Sequence, residues 1–414
     1  MQMHPAKIKL RAMPDITLYH KLATTSRRWP SLHGPLRNAR KFFSEKIPGI
    51  FVDLLRALAP TGNFRFGPPK NSFSILDSPR FENRRPSRIV LTDQGAPNVG
   101  HDSLMVVSGM QQHAWQPWPI FWSAHKNARL VASTLALLDE RKRICREAAY
   151  GDICIEDDPA WNYCRLPKEI FLEGNWTSLV SRWCPADGVP TFSHWIMDAL
   201  PRLALLKEFP ADTKILVPCK LAGYQKETLK MLGLLDRIRF TPERHLILEN
   251  YYFSSPTSMI SCYSPYAIRW LRETFLPHAD KSYQGPKRFI IQRKGKTRGI
   301  KNEPEVNEFF KKLGWAIIDT ETLTFAQELQ LFSNAEAVAG AFGSGFTNCI
   351  WSPPGCKVIT FVPDKFVDGG VESHCVVNKI DYFWQIFPSD HAMMATVDIG
   401  EIKKLLRRAG LDAG

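Results

Sequence analysis

The sequence predicts an α/β fold built on a parallel sheet, and three observations in the stretch from Lys287 to Pro363 predict it. Short apolar runs alternate there with segments of helical periodicity, glycines and prolines mark the joints, and one strand-to-helix turn carries Gly340, Gly343 and Gly345. Strands alternating with helices of this length pair in parallel, and such sheets bind ligands beyond the carboxyl ends of their strands.

The elements follow in order. Lys287 to Arg293 (KRFIIQR) is a compact apolar run and reads as the first strand. Asn302 and Glu305 have the spacing of a capping box for the next helix. Its residues Val306, Phe309, Phe310 and Leu313 form one stripe, and Gly314 is the stop. Trp315 to Asp319 is the second strand. Thr324 and Gln327 form another capping box, for a helix burying Phe325, Leu329 and Phe332. Glu336 to Ala341 is the third strand, Phe346 to Trp351 begins the third helix, and Lys357 to Val362 is the fourth strand.

The remainder divides around this unit. A chain of 414 residues is long for one core. Residues 1–95 lack sustained periodicity and read as a basic, partly disordered arm, although Ile50 to Leu58 has the spacing of a short amphipathic helix. Residues 96–285 read as a first α/β domain, with a buried strand at Arg129 to Leu138, another at Lys214 to Pro218 and a third at Tyr251 to Ser254. Tyr224 to Leu235 reads as a helix with Leu229, Leu232 and Leu235 on one face. Gly285-Pro286 is the hinge to a second domain at 286–390, and 391–414 carries an amphipathic helix over Ile399 to Arg408.

Composition narrows the class. The net charge of +13 is concentrated in the arm, where a solvated segment and a foot on an anionic membrane are both consistent with it. No nucleic-acid-binding motif accompanies the charge. The nine cysteines are scattered without a Cys-x-x-Cys, against both a disulfide framework and a zinc site. No apolar run is long enough to span a bilayer, and no secretory leader is evident, so the expected location is the cytoplasm, at most peripheral to the inner face of the membrane.

Three constellations carry chemistry. In the glycine turn, Gly343 and Gly345 let a backbone approach an anion closely, while Ser344, Thr347 and Asn348 add polar side chains in the first turn. Arg293, Lys294, Lys296 and Arg298 follow the first strand, whose carboxyl end opens on the same edge as the third. In the first domain, His194, Asp198 and Arg202 lie within nine residues; helical spacing puts His194 and Asp198 side by side, whereas Pro201 allows Asp198 to cap a new helix instead.

Three blocks, HWIMDALPRL, RFIIQRKGKTRGIKNEPEV and LTFAQELQLFSNAEAVAGAFGSGFTNCIWSPPGCKVI, resemble the glycosyltransferase 61 family (the capsular polysaccharide biosynthesis, or DUF563, type) in the family's order. The resemblance implies a GT-B architecture of two Rossmann-like domains facing across a cleft. It also implies inverting transfer from a nucleotide sugar, usually UDP-linked, to a glycan hydroxyl in surface or extracellular polysaccharide synthesis, with no cofactor and no metal. Carried over by position, His194 and Asp198 lie on the acceptor side of the cleft, and the expected mechanism makes them the catalytic pair, with Asp198, His194 alongside, taking the acceptor proton. Arg293, Arg298, Gly343, Ser344, Gly345, Thr347 and Asn348 hold the donor, while Arg202, Asn302 and Glu303 are acceptor-side or structural. Phe342 stands where many members have His, and could offer stacking in its place. The alternative is a non-catalytic glycan- or nucleotide-sugar-binding protein of the same fold.

Overall fold

The computed structural model describes residues 71–75, 104, 120–150, 155, 158–162, 166–258, 263–293 and 297–414. The amphipathic stretch at Ile50 to Leu58, nearly all of the basic arm, and Lys294 and Lys296 lie outside the described residues. Two sheets organise the rest.

The first sheet has eight strands in the order β1-β4-β3-β2-β8-β5-β6-β7. These are β1 Asn71–Phe73, β2 Trp122–Val131, β3 Ala136–Leu138, β4 Arg143–Cys145, β5 Ile170–Ser178, β6 Lys214–Pro218, β7 Ile238–Thr241 and β8 His245–Ser254. The expected arm therefore enters the fold: β1 pairs in parallel with β4, and the Ile75 N–H donates to the Glu147 carboxylate at 3.0 Å. The single strand expected at Arg129 to Leu138 is instead the end of β2, a turn and β3, which pair antiparallel. Ala132 and Leu135 take left-handed φ values of 69° and 49° to make that turn, around Ser133 and Thr134 in a run that is otherwise mostly apolar. β8 joins the two halves of the sheet, antiparallel to β2 and parallel to β5, and β5, β6 and β7 continue in parallel.

Helix α1 spans Gly223–Met231 and α2 spans Pro265–Phe275. α1 is shorter than its apolar spacing suggested: Leu229 is buried, but Leu235 lies beyond the helix and is exposed. Thr228 and Gln225 fill the rest of its buried face, with Thr228 Oγ1 accepting the indole N–H of Trp195 at 2.9 Å.

The second sheet is wholly parallel, in the order β10-β9-β11-β12-β13. Its strands are β9 Arg288–Ile291, β10 Ala316–Ile318, β11 Ala337–Ala341, β12 Lys357–Pro363 and β13 Asp381–Phe387. β13, and the helix before it, extend the four-stranded expectation. Helices α3 Glu303–Lys312 and α6 Ile399–Arg408 cover one face; α4 Phe325–Ser333 and α5 Gly370–Val377 cover the other. Strand alternation decides this. Val338, Phe289 and Val358 point to the α4 side, and Ala337, Ala339, Ile290 and Ile359 to the α3 side. The first strand of this sheet, β9, sits between the second and third, so the strand order reverses between β9 and β11, the place where ligands bind in such folds.

The capping box of α4 is formed as its spacing implies, with Thr324 and Gln327 exchanging hydrogen bonds of 3.2 and 3.0 Å. That of α3 is not. Asn302 makes no cap; its amide donates to the Glu305 carboxylate and to the Val397 carbonyl, and its carbonyl accepts from the Val397 N–H at 3.0 Å. The side chain is spent on holding the chain that leads into α6.

One continuous apolar cluster contains residues of β6, α2, β9, α4 and α5, so elements of both sheets share a core. Among the described residues no helix is long and apolar enough to cross a membrane, and the six described cysteines are free.

Candidate active site

The His194 segment is a helix of three kinds. One α-helical turn, Phe192–His194, capped by the Thr191 hydroxyl, runs into a π-helical stretch, Trp195–Ala199, and then a 3-10 stretch, Leu200–Glu208, with Pro201 in its first turn. Wide turns of this kind recur at functional sites. Trp195, Ile196, Met197 and Leu200 are all fully buried, so the widening is packed on every side rather than left loose.

His194 Nδ1 lies 2.8 Å from Asp198 Oδ2. The side-by-side placement holds, and Asp198 does not cap a helix. The carboxylate is buried, with 4% of its side chain accessible, whereas the imidazole keeps 34%. Burial pushes the Asp198 pKa up; the His194 hydrogen bond and charge, and the Arg202 charge, pull it back down. Arg202 is also buried and donates from Nε to the Ser254 carbonyl at 3.2 Å. It is an internal counter-charge tied to the end of β8, and it does not face an acceptor. Trp183, from the loop after β5, stacks on His194 with ring centroids 4.8 Å apart and planes 13° apart. No spacing in the sequence distinguished this tryptophan.

The other half of the site grows from the switch between β9 and β11. Gly340 has φ +149°, and a side chain there would meet the Ile291 carbonyl at 2.9 Å, so glycine is required where the two strands draw together. At Gly343 the backbone is extended, and the requirement is space: a Cβ would sit 1.7 Å from Nη1 of Arg293. The glycine thus admits a guanidinium from the neighbouring strand end. Arg293 donates from Nε to the Thr297 carbonyl at 3.0 Å, which fixes its fork, and Arg298, at left-handed φ 57°, lays its guanidinium 4.6 Å above the Phe366 ring. Burial lowers the pKa of both arginines; Arg298 adds to the effect on Arg293, and Asp368 opposes it at Arg298. Two partly desolvated cations beside a glycine turn make a strong anion site.

Some expected donor contacts are absent from it. The third helix is a 3-10 helix, Ser344–Trp351, and Thr347 and Asn348 are buried in its packed face. Asn348 Oδ1 accepts the Trp351 indole N–H at 3.0 Å, and its amide lies beside Glu328. The Asn348 side chain is thus engaged inside the protein, and Thr347 is buried beside it. The Phe346 N–H donates to the Gly343 carbonyl at 3.1 Å, which leaves Ser344 and Gly345 at the open start of the helix. Phe342 is 5% exposed and packs on Phe366, centroids 6.1 Å apart, so it is core and offers no stacking face. Asn302 serves the α6 connection, and Glu303 opens α3 beside it.

The two halves touch. The turn Phe192–His194 packs directly on the 3-10 helix Ser344–Trp351. Phe192 and Phe325 rings meet at 6.5 Å, and the Glu227 carboxylate of α1 accepts the N–H groups of Phe325 and Ala326 at 3.0 and 3.2 Å, capping α4 across the junction. No group of His, Cys, Asp and Glu suited to a metal ion occurs among the described residues. An open depression of about 490 Å³ lined by Val189, Leu221, Lys226 and Phe240 shares no residue with the site.

No curated protein matches the chain. Residues 192–359 match the Glycosyltransferase 61 family model, a span that opens at the turn bearing His194 and takes in Asp198, both arginines and the glycine turn. Residues 192–359 therefore form a glycosyltransferase 61 domain, and the chain that carries it is a glycosyltransferase.

Proposed function

We propose that the protein is an inverting glycosyltransferase of GT-B arrangement, moving a sugar from a nucleotide-sugar donor, most simply UDP-linked, to a hydroxyl of a glycan acceptor in surface or extracellular polysaccharide synthesis. The observation that carries this reading is the direct packing of the His194 turn on the helix behind the glycine turn. It sets a paired imidazole and carboxylate against a two-arginine anion site.

His194, not Asp198, is the base in this reading. Asp198 was the expected proton acceptor, but its carboxylate is buried and engaged by the imidazole, while His194 retains an accessible edge. An ionised carboxylate only accepts hydrogen bonds, so Nδ1 carries the ring proton and Nε2 keeps a lone pair. Nε2 takes the acceptor proton as the hydroxyl oxygen bonds to the anomeric carbon. The bond from that carbon to the phosphate oxygen breaks, and its electrons leave with the diphosphate. Asp198 steadies the imidazolium that forms. Arg293, Arg298 and the N–H groups of Ser344 and Gly345 meet the charge growing on the leaving group, so they act on the transition state more than on the ground state. The reading assigns that charge to these groups, with no resident metal.

Ligand-observed NMR with UDP, GDP, CMP and ADP, on wild type beside Arg293→Ala, tests the donor half. Binding of one nucleotide, lost in the variant, is expected. Equal binding by the variant would overturn the assignment of the anion site.

A further inference from the structure

We propose that Trp183 is a positioning residue that locks the His194 imidazole in the one orientation where Nδ1 meets Asp198 and Nε2 faces outward. The inference rests on the reading of His194 as the base. The observation behind it is the near-parallel stack of the two rings, 4.8 Å apart at 13°.

A histidine ring has a broad torsional preference about its last side-chain bond, so rotation of the ring plane is intrinsically easy. In His194 any rotation out of its present plane would draw Nδ1 off Asp198, break that hydrogen bond and carry the basic nitrogen elsewhere. One hydrogen bond on a ring with a third of its surface accessible is weak restraint. The rotating edge, however, must sweep through the space held by the face of Trp183.

Trp183 is itself held. The Tyr150 ring meets it edge-on at 6.3 Å and 78°, and the Arg182 guanidinium lies 5.6 Å from its centroid. Tyr150 is buried and closes a 3-10 turn in a left-handed conformation, φ 62°, so its ring is fixed by the backbone behind it. The same loop holds His194 a second time, through the Cys184 thiol donating to the His194 carbonyl at 3.6 Å. Loop, indole and imidazole are thus tied together, and the basic nitrogen is aimed by a residue that need not touch substrate.

The test reads the ring directly. Nitrogen NMR of the full-length protein labelled in histidine reports which ring nitrogen carries the proton, with His194→Ala identifying the His194 signals. Wild type is expected to show one tautomer, protonated at Nδ1. A ring turned out of the stack forfeits it, and a stacked aromatic pair favours the stacked form by about 2- to 12-fold, so Trp183→Ala should raise the unstacked population, free of Asp198, by that factor. Trp183→Phe, which keeps an aromatic face, should restore the single form. Trp183→Leu fills the volume without that face and should behave like Trp183→Ala, even where the smaller residue unfolds the loop. A single Nδ1-protonated signal in the Leu and Ala variants would overturn the proposal. If His194→Ala leaves sugar transfer intact, the reading of His194 as the base fails instead, and the NMR result is unaffected.

Discussion

The two halves of the site are built by different means. On the donor side, a regular parallel sheet does the placing: the strand order reverses between β9 and β11, Arg293 ends one strand and Gly343 follows the other, and one missing Cβ lets them meet. On the acceptor side, the placing is done by irregularity. His194 stands where an α turn widens into a π stretch, and its carboxylate partner is sunk among Trp195, Ile196 and Met197. A strand end offers backbone groups and long cations, which suits a ligand that is all charge. A base needs one nitrogen at one angle, and that demands a partner on the far side of the ring and packing around both.

The sharpest break in this comparison is on the acceptor side. His194→Ala should lower turnover about 10²- to 10⁴-fold, the span of general-base contributions, with nucleotide affinity unchanged. Isothermal titration with the bound nucleotide, beside a donor-consumption assay, separates the two quantities. A variant that loses affinity instead would show that His194 belongs to the donor half.

The donor side should break almost as hard from a single methyl group. Gly343→Ala drives a Cβ into the guanidinium of Arg293, which must leave. The loss should match that of Arg293→Ala, about 10²- to 10³-fold in turnover, the cost of removing one anion-hole donor. Because both changes remove the same contact, the double variant should be no worse than either single one. Additive losses in a turnover assay would mean that the glycine serves the ligand directly.

The contrast also explains what could be read in advance. Every strand of the Lys287 to Val362 stretch, its stop at Gly314 (φ 78°) and the Thr324–Gln327 box came from local rules, because in a doubly wound sheet each element is specified within its own residues. β13 escaped because it is a mostly half-buried edge strand, DYFWQIF, without a continuous apolar run. His194 and Asp198 were legible as neighbours because spacing fixes which side chains share a helix face. Their burial was not, and burial is what moves the proposed base from Asp198 to His194. Asn348 shows the same limit: a polar residue after a glycine turn serves a ligand or the helix itself, and its engagement by Trp351 and Glu328 follows from packing that the sequence does not display. Trp183 had no signal at all, since it meets His194 through a loop whose path no periodicity sets.

A smaller effect tests the junction between the halves. Glu328 is buried beside Asn348, and desolvation raises its pKa from 4.5 to about 8, with the nearby Glu227 carboxylate adding to the rise. The fold therefore holds the protonated form. Below about pH 4.5 the carboxyl is neutral folded or unfolded and costs nothing. As pH climbs towards 8 the unfolded chain releases the proton and the folded one does not, so stability falls across that window. The integrated loss is roughly 3–5 kcal/mol. Urea melts between pH 5 and 8 should show the decline in wild type, and Glu328→Gln, neutral throughout, should flatten it. A slope that survives the substitution would place the titrating group elsewhere.

The mildest change concerns a residue that the family pattern marks and the structure gives to architecture. Asn302 joins the start of α3 to Val397, with both its amide and its carbonyl engaged by that one residue's backbone. Asn302→Ala removes both bonds and leaves a half-buried N–H and carbonyl to find water. The cost should be about 1–3 kcal/mol of stability, because each unmet backbone group forfeits its partner. Turnover and nucleotide affinity should stay at the wild-type level below the melting temperature, since the side chain is engaged by the α6 connection and by Glu305. A denaturant midpoint that drops with kinetics intact supports that division. Loss of affinity at unchanged stability would return Asn302 to the ligand and extend the donor site along the start of α3.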